Sequence, residues 1–497
     1  MPSGQPLLAI GAGGNTLSGA DAACAKCHRR SGLGGAEGDR VIPPITADVL
    51  FDMPVATPLP DTAARYDTTS LGRLLREGHT PGTKQLDALM PRYRLDPSEQ
   101  AALVAYLHTL RPGPDPGVTA TELHIATLFA GDIAPERRAA ILDVLQTYIA
   151  DHNAQTRAES RRARYGRDTM DRAFRLWRLH VWELHGNTAQ WPTQLQTQYQ
   201  QQPVFAVLSG ASTGEWQPVH NFCEQRQLPC IFPSIDIPGA SDPGEYTFYL
   251  SKGLVLEAEA LAAYLAEQRP RLDTGKIVQV YRANGNGAVA AHTLHNALKK
   301  FGQYRVDDHV IRDATTPDTK FWIDLISNHK PSLVILWLPA TDLKNFAQGI
   351  GRGDDLRGIF ASARYTGERV DWVPDALVTR TFLTYPFALP KERAAKAARV
   401  TEWLSSRKIP HIEPRLQAEA YFTVTAVAGA LKHMNGLYSR DYFVERLENM
   451  IEASLTSADF PHVSLGPGQR YASKGCYIVQ ATKNDRQLTA VSRWLIP

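Results

Sequence analysis

The chain has 497 residues, 43% hydrophobic and 21% charged, with 36 glycines and 33 prolines. That composition excludes disordered, collagenous and coiled-coil classes, and at roughly 150 residues per domain the length predicts two to four folding units. With 54 basic and 51 acidic side chains the net charge is +3, too balanced for a protein working mainly through phosphate contacts, so nucleic acid is not expected as a partner.

The longest strongly apolar stretches, such as 333–338, fall far short of the ~20 residues that cross a bilayer, so no transmembrane segment is expected. The first basic residue is Lys26, so the mildly apolar stretch at 6–10 lacks a positively charged flank and does not read as a signal peptide. This fits either a cytoplasmic protein or a mature chain whose leader is gone. Next comes Cys24-Ala25-Lys26-Cys27-His28, the spacing for covalent attachment of a c-type haem. Two thiols three positions apart on a helical turn can each add to a haem vinyl group, and the adjacent imidazole is delivered to the iron. The other readings are a redox pair, which wants a strand before it and a helix after it, and half of a zinc site. For the latter, no nearby cysteine or histidine supplies a second ligand pair. Downstream, the stretch 86–95 contains Met90-Pro91 and precedes a predicted helix. Asp96 caps that helix, Glu99 completes a capping-box pattern, and Leu103, Tyr106, Leu107 and Leu110 form one apolar stripe.

These features resemble the bacterial class I cytochrome c family over residues 14–111. The resemblance implies an all-α domain with one covalently attached haem c, bound through Cys24 and Cys27, with His28 as proximal ligand. Met90, in the Met-Pro element before the last helix, is the implied distal ligand; a thioether opposite histidine raises the iron potential and suits an electron carrier. Met53, also followed by proline, competes for that role but precedes the middle helix. Pro43, in Ile42-Pro43-Pro44-Ile45, is expected to orient the proximal imidazole through its carbonyl. His79 and His108 are expected to be structural or solvent-facing. Haem attachment is done outside the bacterial cytoplasm, so a periplasmic chain is expected, its export leader removed. That compartment permits a disulfide between Cys223 and Cys230, with two buried thiols as the alternative. Cys476 is expected to be a buried thiol.

Residues 112–117, Pro-Gly-Pro-Asp-Pro-Gly, read as a semi-rigid linker between a cytochrome domain at 1–111 and a larger domain at 118–497, each expected to fold by itself. Strands are predicted at 123–129, 204–208, 277–281 and 333–338, alternating with helices, the first of which opens at Pro135. Such alternation implies parallel sheets covered by helices on both faces, comfortably as two lobes. Over about 120–480 the pattern resembles the type I periplasmic binding proteins, specifically binders of branched-chain amino acids and amides. The resemblance rests on the strand at 203–210, the next at 228–233, a first crossing between lobes at 246–250, and the second lobe's opening strand at 276–281. It also takes in a closing segment at 464–475. It implies a two-lobed α/β domain with a hinged ligand cleft. By position, Ser212 and Thr213 match one ligand loop and Ser234 and Asp236 a second, while Asn284 or Asn286 and Tyr365 are the candidates from the other lobe. Ser and Thr after a strand are also common helix caps, and Asn-Gly-Asn-Gly is a common turn. Glu215-Trp216 places a charge and an indole just past the Ser-Thr pair, and Asp236 repels a carboxylate unless an ammonium lies beside it. A standard branched-chain amino acid is therefore not the expected ligand.

His180, Glu183 and His185 offer possible metal ligands, but their spacing scatters them over different faces, so a surface element is expected. The basic run Arg157, Arg161, Arg162, Arg164 and Arg167 reads as a solvated face or a meeting point for an acidic redox partner. Taken together, the sequence predicts a multidomain periplasmic electron-transfer protein, not itself an enzyme. Its solute-binding-like domain recognises a small polar organic ligand or docks to a redox partner such as a dehydrogenase or another cytochrome. The alternative is a receptor of an uptake or sensing system with an accessory haem.

Overall fold

The computed structural model describes residues 6–37, 40–52, 66–80, 85–111, 113–163, 175–239, 243–268, 275–302, 304–312, 315–351, 355–434, 436–450 and 457–497. The chain forms two compact units: one takes the residues up to Thr119 together with Ala430–Arg446, and the other takes the rest of the described chain.

The first unit is mainly helical, with short strands that the expected all-α pattern leaves out. Its elements are β1 (Leu8–Ile10), β2 (Thr16–Ser18), α1 (Ala25–His28), β3 (Gly35–Glu37), β4 (Arg40–Ile42), α2 (Ala47–Leu50), α3 (Thr68–Glu77), β5 (Arg92–Tyr93) and α4 (Pro97–Thr109). Strand β1 pairs antiparallel with β2 and β5, while β3 and β4 form a hairpin. Helix α4 starts as predicted: the Asp96 carboxylate accepts from the backbone of Ser98 and Glu99, and the Glu99 side chain accepts from the Asp96 N–H at 3.2 Å. A second capping box, Asp67 with Ser70, starts α3. Val104 and Leu107 face the core, but Tyr106 is 55% exposed, so the buried stripe of α4 is narrower than the sequence pattern. Ala9, Leu50, Leu71, Leu74, Leu75 and Tyr93 complete this small core, with Cys24 and Met90 packed at its edge. The 113–117 stretch is tied down: Asp115 N–H donates to Tyr438 O at 3.1 Å, and Arg440 N–H donates to the Asp115 carboxylate at 2.6 Å.

The second unit begins with β6 (Glu122–Ala130), α5 (Pro135–Ala163), β7 (Leu176–Leu184), α6 (Trp191–Gln201), β8 (Ala206–Leu208), β9 (Ala211–Ser212), α7 (Gln217–Gln225), β10 (Cys230–Ile231) and β11 (Thr247–Phe248). These strands form a parallel sheet in the order β11-β10-β8-β6-β7, with β9 on β6. A second lobe follows: α8 (Leu254–Gln268), β12 (Lys276–Arg282), α9 (Asn286–Lys300), β13 (Arg305–Ile311), α10 (Thr319–His329), β14 (Leu333–Trp337), α11 (Phe346–Ile350), β15 (Gly358–Ser362), α12 (Ala363–Thr366) and β16 (Thr381–Tyr385). Then come α13 (Pro390–Ser406), α14 (Pro414–Lys432), α15 (Arg440–Glu448), β17 (Tyr477–Ala481) and β18 (Leu488–Ala490), of which the end of α14 from Ala430 and α15 up to Arg446 belong to the first unit. The second sheet has the order β13-β12-β14-β15-β16-β17-β18, parallel up to β16 and antiparallel beyond. Strand β14, Leu-Val-Ile-Leu-Trp, is buried throughout, as a strand covered on both faces must be.

The chain crosses between lobes more than once. Helix α14 returns to the first lobe, where Phe422 packs 5.3 Å from Phe232. The predicted crossing at 246–250 and the closing segment pair side by side. Tyr249 N–H donates to Arg470 O at 2.8 Å and Ala472 N–H donates back to Tyr249 O at 3.0 Å. Few residues join the lobes here, the arrangement of a hinge.

Candidate functional site

The first site is built on one turn of helix. Cys24 caps α1 and Cys27 lies within it, which puts both thiols on one short element with His28 at its end. The His28 ring Nδ1–H donates to Pro43 O at 2.8 Å, so the second-layer partner expected from the sequence is in place. This bond fixes the tautomer and leaves Nε2 as the nitrogen that could ligate a metal. Burial pulls the imidazole below its ordinary pKa, against the hydrogen bond to Pro43, which keeps it neutral. Gly34 makes the contact possible: it has φ +69°, and a Cβ there would lie 2.2 Å from Ile42 O and 2.8 Å from Pro43 O. Burial also raises the Cys24 thiol, with Tyr93 opposing; Tyr93 donates its hydroxyl proton to Ala22 O at 2.8 Å. Met90 follows a turn closed by its N–H on Asp87 O and packs on the same core as Cys24. Two thiols, an imidazole with a fixed tautomer and a thioether are the donor set of a c-type haem, and these residues fit that group. Met53 lies outside the described residues. His108 stacks on Phe51 with ring centroids 3.9 Å apart, a packing role.

The second site is the cleft of the two-lobed unit. Ser212, Thr213, Ser234, Asp236, Asn284, Asn286 and Tyr365 all line this one cavity, whose volume is about 1890 Å³. Their roles differ. The Ser212 hydroxyl bonds the backbone of Gly214 at 3.0 and 3.1 Å, and so shapes its own loop. Ser234 donates to Glu419 Oε2 at 2.8 Å, and Asn286 Nδ2 reaches Asp236 Oδ2 at 3.4 Å from the other lobe. Burial, with Asp236 and Glu257 adding, pushes the Tyr365 phenol far up, so it stays a neutral donor. Trp216, just past the Ser-Thr pair, lines the cleft but is only 1% exposed and packs into the first lobe's core.

The sequence reading missed a charged cluster in the cleft wall. Arg393 grips Glu368 with both terminal nitrogens, and Arg415 reaches the same carboxylate. The Arg415 guanidinium lies 3.7 Å over the Phe387 ring, with Arg364 5.6 Å from that ring. Burial works to raise the Glu368 carboxyl, but its hydrogen bonds and the two arginines hold it below the usual range. Asp459 behaves oppositely: burial first, then the neighbouring Glu419, push it up to about 7. Its Oδ2 is buried without a hydrogen-bond partner among the described residues. These residues come from helices and loops spread over about ninety positions, and no local pattern marks them.

Other expectations fare variously. Cys223 and Cys230 are buried thiols not bonded to each other, so the expected disulfide is not formed. Cys223 on α7 and Cys230 on β10 both pack instead into the first lobe's apolar core. Cys476 is buried, as expected. His180 pairs with His124 at 2.9 Å rather than with His185, and among the described residues no group of three metal-ligating side chains occurs. Arg164 and Arg167 of the basic run lie outside the described residues. No helix among the described residues is long and apolar enough to cross a membrane.

A periplasmic binding protein family model matches residues 184–486, and a cytochrome c model matches 12–111. Among solved structures, a branched-chain amino acid ABC transporter protein from Thermus thermophilus with bound valine is similar at TM-score 0.57 and 13% identity, covering 76% of this chain and 97% of that one. A fatty acid ABC transporter substrate-binding protein from Thermomonospora curvata is similar at TM-score 0.54 and 15% identity, over 77% and 95% of the two chains. An ABC transporter solute binding protein from R. palustris in complex with benzoate is similar at 0.53 and 12%, over 76% and 98%. At these identities the likeness is one of fold. No curated protein matches. The chain belongs to the periplasmic binding protein family and carries a cytochrome c domain ahead of its two-lobed binding domain.

Proposed function

We propose that the protein is a periplasmic electron carrier in which one haem c is attached through Cys24 and Cys27 and ligated by His28 and Met90. A haem held there supplies reversible one-electron transfer. The observation that carries this reading is the His28 Nδ1–H bond to Pro43 O at 2.8 Å beside the paired thiols, an imidazole oriented for ligation. Burial lowers its pKa, which favours the neutral ring, and Cys24 beside it packs on the small apolar core. The binding domain recognises a small polar organic ligand, or docks to a redox partner such as a dehydrogenase. An open cleft of about 1890 Å³ with polar side chains on both walls favours the ligand. It also sustains a second reading, a ligand receptor with an accessory haem.

Expression in a periplasm with haem-attachment machinery should give one covalent haem per chain by pyridine haemochrome assay. A colourless, folded protein from that experiment would overturn the reading. A small-molecule screen by thermal shift then separates the two roles of the cleft. A stabilising compound supports recognition, whereas silence with fast reduction by a purified periplasmic dehydrogenase supports docking.

A further inference from the structure

The loop after the haem-attachment helix turns on unusual backbone conformations, with φ +65° at Arg29, +70° at Gly32 and +69° at Gly34. Something must hold such a loop, because it carries the chain from His28 to the Pro43 carbonyl that orients it. Ser31 sits in its middle, 4% exposed. Both donors of Ser31 are taken by one carboxylate: its N–H donates to Glu445 Oε1 at 2.7 Å and its hydroxyl to Glu445 Oε2 at 2.6 Å. The same hydroxyl accepts from Leu33 N–H at 3.2 Å, which carries the restraint further along the loop. Glu445 is 414 residues away in sequence, 6% exposed, on α15 and within the same compact unit. One turn earlier on that helix, Asp441 lies 3.8 Å from Arg30.

We propose that Glu445 is a positioning residue for the haem ligand His28: its carboxylate clamps Ser31, fixes the loop, and thereby sets the ligation geometry and the potential of the bound haem. The proposal rests on the haem reading above. Buried hydrogen bonds to an ionised group are the short, strong kind, and two of them on one residue leave the loop little freedom. A tether that only joined two pieces of chain has no need to be two-pronged or to end three residues after an iron ligand.

The test uses the full-length haem protein and the variants Ser31→Ala, Glu445→Ala, Glu445→Gln and the Ser31→Ala/Glu445→Ala double. In Glu445→Ala, amide exchange at Ser31 and Leu33 should accelerate about tenfold to hundredfold, the equivalent of one charged hydrogen bond, while amides in α4 stay unchanged. The midpoint potential should shift and the long-wavelength sulfur-to-iron band should weaken. Ser31→Ala should move each readout the same way by less, and the double variant no further than Glu445→Ala, because the two side chains act as one unit. Should Glu445→Ala fail to fold, Glu445→Gln, which keeps one acceptor oxygen, carries the comparison. Potential, band and loop exchange at wild-type values, with only the melting temperature lowered, would overturn the proposal and leave a plain packing contact. Haem missing from the unmutated protein would instead overturn the reading on which it rests.

Discussion

The two units hold their polar groups in opposite ways. In the cytochrome unit the two thiols and the imidazole sit on one short helix, and the partner that orients His28 is a backbone carbonyl fifteen residues away. In the two-lobed unit the charged groups of the cleft come from α13, α14 and loops, and most are paired: Arg393 and Arg415 share Glu368, and Ser234 answers Glu419, while Asp459 Oδ2 has no hydrogen-bond partner among the described residues. The first site is a fixed set of donors. The second is a wall of compensated charges, where binding must compete with pairs already made. That difference teaches which substitutions act locally. A change at the haem motif should leave the larger unit's stability intact, whereas a change in the cleft wall should register in that unit's stability before it registers in any ligand.

The largest effect is expected at the thiols: replacing Cys24 and Cys27 by Ser should abolish covalent haem in the pyridine haemochrome assay, while the larger unit's urea unfolding midpoint stays where it was. Loss of that midpoint as well would break the comparison. For Asp459 the expected effect follows from its raised pKa. Between the unfolded carboxyl pKa of about 4 and the folded value of about 7, the native state holds a proton that the unfolded chain has released, so stability falls as pH rises through that window. The accumulated penalty is on the order of 4 kcal/mol above it. Asp459→Asn should therefore match the wild type near pH 4 and exceed it near pH 8; an equal gap at both pH values would refute the assignment.

Breaking the wall by Arg393→Ala leaves Glu368 with a partner fewer in a half-buried setting, and should cost about 3 kcal/mol in urea denaturation. A loss under 1 kcal/mol would mean that Arg415 alone compensates. Met90→Ala should leave the haem attached but remove the weak sulfur-to-iron band and lower the potential. If Met53→Ala does this instead, the ligand assignment is wrong. The smallest effect belongs to Ser212→Ala, about 1 kcal/mol or less, because its hydroxyl bonds only its own loop among the contacts described. A large loss of ligand affinity there would show that the hydroxyl turns to the ligand.

The sequence by itself determined what is local or periodic. Cys24, Cys27 and His28 are legible because covalent attachment demands fixed spacing on one turn. Asp96 and Glu99 are legible because helix ends demand caps, and β14 because a strand buried on both faces is continuously apolar. The crossing at 246–250 and its partner at 464–475 were legible only through likeness to a family. What the tertiary structure alone decided is pairing across distance. That Trp216 is buried in the core, that Cys223 and Cys230 remain thiols in one apolar core, that Arg393 and Arg415 converge on Glu368, and that Glu445 answers Ser31 all depend on where sheets and helices set side chains relative to one another. Burial and charge compensation are properties of neighbours in space, and the spacing of residues along the chain does not encode them.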